Sequence, residues 1–348
     1  MCHERPIITR RNLLKGSAAA LLLEAAFVRG LQLQSHYIDA AYKKDKEVQP
    51  HLKENIENSS MFLGVYPHRN NIKNVRHLND FGIVGYFGPW YDWTAKNAIF
   101  AAAPGQIPLI SVGPSYKNEP RRRFRYRDLV EQKDHIRKQA QNLACFSTCL
   151  FRYGYEMNGD WFPYGSTTQS PREFIDGWNF VVEIVKKANP NVLTVWAPNV
   201  DYPIEPYFPG DSDIKPDIMA LDGYCKRHAS LLHARHLLPD PSPAQLFAKD
   251  VLALQELDDD IPIFISEIGV DYGNTPRART ASFNWMTEAL SRLATYDRVM
   301  GICLFSWNKG RGILDMHEGN WGNILTDEFH EMIQQNPFYS PRAPEQIA

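Results

Sequence analysis

The sequence has little excess charge of either sign: 38 Lys and Arg stand against 40 Asp and Glu, a formal charge of −2. A nucleic-acid partner is not expected of such a chain, because phosphate neutralisation needs a clear basic excess. Cysteine is scarce and odd in number, five in all. Cys2 lies at the extreme N-terminus. Cys145, Cys149, Cys225 and Cys303 show neither a disulfide framework nor ligand spacing with histidine, so free buried thiols are expected. No G-x-G-x-x-G follows an early strand, which argues against an open dinucleotide-binding sheet. His228, His233 and His236 lie near one another, but no acidic or thiol partner stands at ligand spacing, so neither a metal site nor a cofactor is expected. Long apolar runs are missing too. The stretch SAAALLLEAAFV is interrupted by Glu24 and is too short for a stable membrane span.

The N-terminus carries a different signal. TRRNLLKG, around Arg10 and Arg11, resembles a twin-arginine export signal, so residues 1–30 read as a targeting segment of a periplasmic or extracellular protein. An amphipathic helix is the plainer alternative, and the lack of a clean A-x-A site leaves an N-terminal membrane tether open. Residues 31–59 are polar and read as a linker, 60–335 as one domain, and 336–348 as a frayed tail.

Within the domain, short apolar or β-branched runs alternate with helical patterns. Strands are expected over 61–66, 82–88, 108–113, 149–156, 192–199, 218–224, 262–269 and 301–307. Helical segments between them include DLVEQKDHIRKQAQNL, SPAQLFAKDVLALQEL, RARTASFNWMTEALSRLATY and PREFIDGWNFVVEIVKKAN, the last opened by Ser170 and Pro171. Eight βα units of this size predict an α/β fold, a single-domain (β/α)8 TIM barrel.

In such a barrel the chemistry sits at the C-terminal ends of the strands. The expected ends carry Glu156, Asn199, Asp222 with Tyr224, Glu267 and Trp307. Alternation along a strand predicts that Arg152, Gly154 and Glu156 share one side, as do Ile263, Ile265 and Glu267, and Asp222 with Tyr224. Inward carboxylates are costly unless paired or functional. Two of them facing each other across a barrel mouth are the equipment for cleaving a glycosidic bond, one as acid and one as nucleophile. For a single strand-end glutamate, a structural ion pair explains as much. The pair, with aromatics beside it, tips the reading towards catalysis.

The stretch FRYGYEMNGDWFPYG, residues 151–165, resembles the R-P-x-H-E-M-N-G-x-W-F-x-x-G signature of glycoside hydrolase family 26, whose members include β-mannanases. Arg152, Glu156, Met157, Asn158, Gly159, Trp161, Phe162 and Gly165 fall into register. ISEIG is similar to the setting of the family's second glutamate, and VWAPN, LDGY and FSW to its strand 5, 6 and 8 segments. The resemblance implies a retaining glycosidase with Glu156 as acid/base and Glu267 as nucleophile. It further implies that Tyr224 hydrogen-bonds the nucleophile, Asp222 contacts the sugar and Arg152 orients the acidic centre. Trp307 would floor the cleft, with Trp161, Phe162 and Trp90 as further platforms and Asn158 and Asn199 at the substrate; core packing explains any one aromatic as well. The family's His before the acid/base is Tyr155 here, and its Pro is Tyr153, so the sugar preference does not carry over.

The expected partner is a polysaccharide or oligosaccharide, taken up by a monomer that has no stable membrane span once mature. A transglycosylase would use the same covalent intermediate. A non-catalytic binding or assembly barrel is the third reading, and the intact Glu156 and Glu267 speak against it. RRRFRYR, residues 121–127, could bind an acidic polysaccharide, although a solvated charged turn explains it more simply.

Overall fold

A computed structural model of the chain describes residues 61–67, 81–93, 106–146, 148–210, 214–226, 241–271, 276–306, 331 and 339–340. The expected signal and linker, the three clustered histidines and Trp307 lie outside them. The parallel strands are β1 (Met61–Pro67), β2 (Ile83–Gly88), β3 (Ile107–Val112), β4 (Cys149–Tyr153), β5 (Val192–Trp196), β6 (Ile218–Lys226), β7 (Ile263–Asp271) and β8 (Val299–Ser306). Each pairs with the next, and β8 pairs back onto β1, so the sheet closes into the expected barrel. A short β9 (Tyr339–Ser340), in the segment read as a frayed tail, also pairs with β1.

Alternation along the strands divides the core in two. Phe62, Ile83, Leu109, Leu150, Val195, Ala220, Phe264 and Cys303 pack inside the barrel. Leu63, Ile110, Phe151, Met219, Ile263 and Ile302 belong to the outer layer, together with apolar residues of the helices. Gly85 leaves room for Tyr66 inside: a Cβ there would stand 2.4 Å from the Tyr66 ring.

The helices follow their punctuation. α3 (Pro171–Ala188) and α4 (Pro243–Leu257) begin with a serine cap and proline, and Ser170 and Ser242 accept from the backbone N–H groups of Glu173 and Gln245. The helix expected over DLVEQKDHIRKQAQNL breaks into α1 (Tyr126–Glu131) and α2 (Lys133–Asn142). Gln132, at the break, accepts from the Trp90 indole N–H at 2.8 Å. α5 runs Pro276–Leu293. Among the described residues no helix is long and apolar enough to cross a membrane. Of the four cysteines there, all free, Cys145 is exposed, against expectation, because it ends the turn after α2 rather than a strand.

Candidate active site

The two glutamates reach the barrel mouth by backbone irregularities, not by strand alternation. β4 stops at Tyr153, three residues before Glu156. Gly154 and Glu156 both take left-handed backbone angles, with φ of 61° and 53°. Glycine adopts that region freely, whereas a glutamate there is strained and must be held by its surroundings. The Glu156 N–H donates to the Ala197 carbonyl at 2.7 Å. Its carboxylate accepts from Trp161 Nε1 at 2.7 Å and Asn199 Nδ2 at 2.5 Å. Asn158 fixes Asn199 in turn, donating to its carbonyl and accepting from its N–H, both at 2.8 Å.

On β7 the alternation breaks at Ser266. Leu221 pairs with Ile265 but Asp222 with Glu267, so β7 holds one extra residue at this point. Such a bulge turns two consecutive side chains the same way. Ile263 and Ile265 consequently face the helices, while Ser266 and Glu267 both turn to the centre. The expectation that Ile263, Ile265 and Glu267 share a side is corrected by that one inserted residue. Asp222 and Tyr224, on the other side of the pairing, do share the inner face, as alternation predicts: Asp222 bonds Arg152 and Tyr224 bonds Glu267.

Arg152 is the hub. Its Nε donates to Ser111 Oγ at 2.8 Å. One terminal nitrogen donates to both oxygens of Asp222, at 2.6 and 2.8 Å, and to Ser266 Oγ at 3.1 Å. The other donates to Glu267 Oε1, whose second oxygen accepts from the Tyr224 hydroxyl. Ser266 Oγ donates to Asp222 at 2.6 Å, and Tyr66 shares a 2.6 Å hydrogen bond with Ser111. The guanidinium also lies over the Tyr155 ring at 4.5 Å. Burial works against the charge on Arg152, but Asp222 and Glu267 outweigh it and hold the guanidinium firmly protonated.

Charge decides where a proton resides. Three carboxylates converge on one guanidinium, and Arg152 contacts only Asp222 and Glu267. Among the described residues Glu156 has no cation partner, while burial pushes Asp222 up as well, against the opposing charge of Arg152. Burial first, and the charge of Glu267 second, push the pKa of Glu156 up to about 7, against the opposing bonds from Trp161 and Asn199. Burial and Glu267 likewise raise Tyr224, which stays a phenol and a donor. An amide offers both a donor and an acceptor. Asn199 can thus serve either form of Glu156, donating to the carboxylate or, after a half-turn, accepting from the acid.

Other expected site residues are placed differently. Trp161 is 42% exposed, with its ring edge-on to Tyr202 at 5.3 Å. Phe162 stacks on Tyr164 and meets the edge of Tyr155. Trp90 is not brought here: it lies buried in the outer layer against Trp93, Phe124 and Tyr153. Asp222 is fully enclosed, its oxygens taken by Arg152 and Ser266, so the expected sugar contact is not available to it. Arg152 is enclosed as well and touches Glu267 rather than Glu156. Both amide ends of Asn158 are spent on Asn199. Ser111, Ser266 and Tyr66 went unrecognised in the sequence. Ser111 had a signal, being the inward polar residue of PLISVG and pairing with Arg152.

Comparison with known proteins gives a consistent picture. The model of glycosyl hydrolase family 26 matches residues 119–295, just over half of the chain and the part that holds Glu156 and Glu267. Mannan endo-1,4-beta-mannosidase A and B of Caldalkalibacillus mannanilyticus is 26% identical over 214 residues, covering 57% of this chain. The chain spans 36% of the length of that curated relative. A modular endo-beta-1,4-mannanase from Cellulomonas fimi superimposes with a TM-score of 0.54 at 19% identity, over 85% of this chain and 74% of that one. GH26C from Muricauda sp. gives a TM-score of 0.54 at 16% identity, over 89% and 93% of the two chains. Likeness at such low identity speaks for the fold.

Proposed function

The chain belongs to glycosyl hydrolase family 26, and from that premise we propose that it is a retaining β-glycosidase acting on a polysaccharide. The observation that carries this reading is the division of labour between two carboxylates. Glu156 has no cation partner among the described residues and holds a proton near neutrality, whereas Glu267 is held as an acceptor by Arg152 and Tyr224. Glu267 attacks the anomeric carbon while the bond to the leaving oxygen breaks and Glu156 gives that oxygen its proton. A glycosyl ester on Glu267 results. Glu156, now ionised, takes a proton from water, which attacks the same carbon and frees Glu267. Two inversions retain the configuration. An NMR time course of the first product's anomeric signals tests this, and initial release of the inverted anomer overturns it.

The mannanases among the relatives make a β-mannan the first polymer to try, followed by mixed-linkage glucan, β-1,3-xylan and cellulose. Tyr155, lying over Arg152 where the family motif has His, is a reason to try all four. The motif at Arg10 and Arg11 supports an exported enzyme, which fractionation of producing cells checks. Product analysis separates water from a sugar hydroxyl as the acceptor.

The acid must be protonated to act, so kcat/KM should fall as pH rises through about 7, following Glu156. The Trp161 indole N–H favours the ionised form. Trp161→Phe should therefore move this alkaline limb upward, and a limb that stays in place or moves down contradicts the assignment.

A further inference from the structure

We propose that the cleft receives an anionic β-glycan, whose carboxylate or sulfate groups are taken by an arginine-rich rim on the loop after β3. The inference rests on the glycosidase reading above and extends it to the class of polymer. Between Lys117 and Asp128 six cations meet only two carboxylates, in a chain whose formal charge is −2. The concentration is local, and its position gives it meaning. The loop leaves the C-terminal end of β3, next to the β4 end that leads into the Glu156 segment.

The rim is fastened to that segment. The Phe124 N–H donates to the Pro163 carbonyl at 2.9 Å, and Pro163 follows Trp161 and Phe162. Phe124 itself is buried against Tyr116 and Trp90, so the arginines on either side stand on an anchored turn. Trp90, lost as a sugar platform, is thus part of what holds this loop. Arg122 lies over the Tyr116 ring at 4.2 Å and pairs with Glu119 at 3.5 Å. Arg127 approaches Asp128. Arg121 and Arg123 are exposed and have no carboxylate partner among the described residues.

A guanidinium fork matches the two oxygens of a carboxylate or sulfate, which a lysine cannot do as well. A neutral polymer can accept hydrogen bonds from such groups but offers no charge to match theirs. Nucleic acid would meet the same charge, but the rim adjoins the exposed Trp161 and the Glu156 loop, where a sugar chain would lie. The opposing view, a merely solvated charged turn, predicts no ligand at all.

The test uses the full chain with Glu267→Gln, so that binding is read without turnover. Its retardation is measured in gels containing alginate as a polyuronate, cellulose sulfate, neutral galactomannan, or single-stranded DNA. Retardation by alginate, by cellulose sulfate or by both is expected, and which of them acts identifies the anionic group. It should exceed that of galactomannan at low salt, weaken as salt rises, and fall about tenfold in affinity in Arg121→Gln/Arg123→Gln. Arg121→Lys/Arg123→Lys should restore part of it. No preference for the anionic glycans, the same binding with the arginines removed, or equal arginine-dependent binding to DNA each overturns the proposal. The glycosidase reading is judged separately, by the turnover that Glu267→Gln loses.

Discussion

Glu267→Ala is expected to lower kcat on the natural polymer by at least about 10⁴-fold, since removing an enzymatic nucleophile leaves only binding and the remaining electrostatics. The fold should survive. Asp222 still occupies Arg152 through both oxygens, and the charge balance of the site improves from three carboxylates per guanidinium to two. Loss of the nearby charge also removes one of the two main causes that raise Glu156, whose pKa should drop. A small anion such as azide, added to Glu267→Ala with an activated glycoside, should enter the vacated space and attack the anomeric carbon. The expected product is a glycosyl azide of inverted configuration. Turnover at the wild-type rate, or an azide product of retained configuration, contradicts the role given to Glu267.

Arg152→Met should have the largest effect on stability. It removes the cation that, among the described residues, alone pairs with Asp222 and Glu267, and leaves the two buried together without that counter-charge. Breaking a buried pair in this way costs about 3–5 kcal/mol, much of it the penalty of the orphaned charge. The variant should recover some stability as pH falls, because protonated carboxyls no longer need the guanidinium. Urea titrations at neutral and mildly acidic pH read this directly; an equal loss at both values rules out the electrostatic account. Arg152→Lys should not restore the site. An ammonium is a point charge on a flexible stem and cannot reach Ser111, Asp222, Ser266 and Glu267 from one plane.

The barrel was legible in the sequence because parallel strands buried on both faces leave continuous apolar runs, and because Ser170–Pro171 and Ser242–Pro243 punctuate the helices. The convergence of Glu156 and Glu267 on one barrel mouth was legible from their composition and surroundings. The backbone path that delivers them was not. Alternation assumes an unbroken strand, and both glutamates sit where the strand fails: Glu156 after a left-handed turn, Glu267 after the insertion at Ser266. Neither event has a local marker strong enough to read, since glycine at 154 could equally have been a packing glycine. Asp222 and Trp90 are placed differently from expectation for a related reason. Sequence tells that a polar or aromatic group stands near the rim, but enclosure depends on partners such as Ser266 and Phe124 that lie tens of residues away.

Distance along the chain gives Arg152 one more consequence, for the order in which the chain folds. Its two carboxylate partners are 70 and 115 residues downstream. Until they arrive, burying the guanidinium inside a partial barrel costs solvation with no return, which opposes the gain from packing the apolar inner residues of the first four strands. Loop closure over such spans is slow as well. Enclosure of Arg152 should thus wait for β6 and β7, as closure of the barrel waits for β8 to pair with β1, and a fragment ending near residue 216 should remain open to protease. On this expectation the guanidinium at the centre of the site ties the early strands to the later ones.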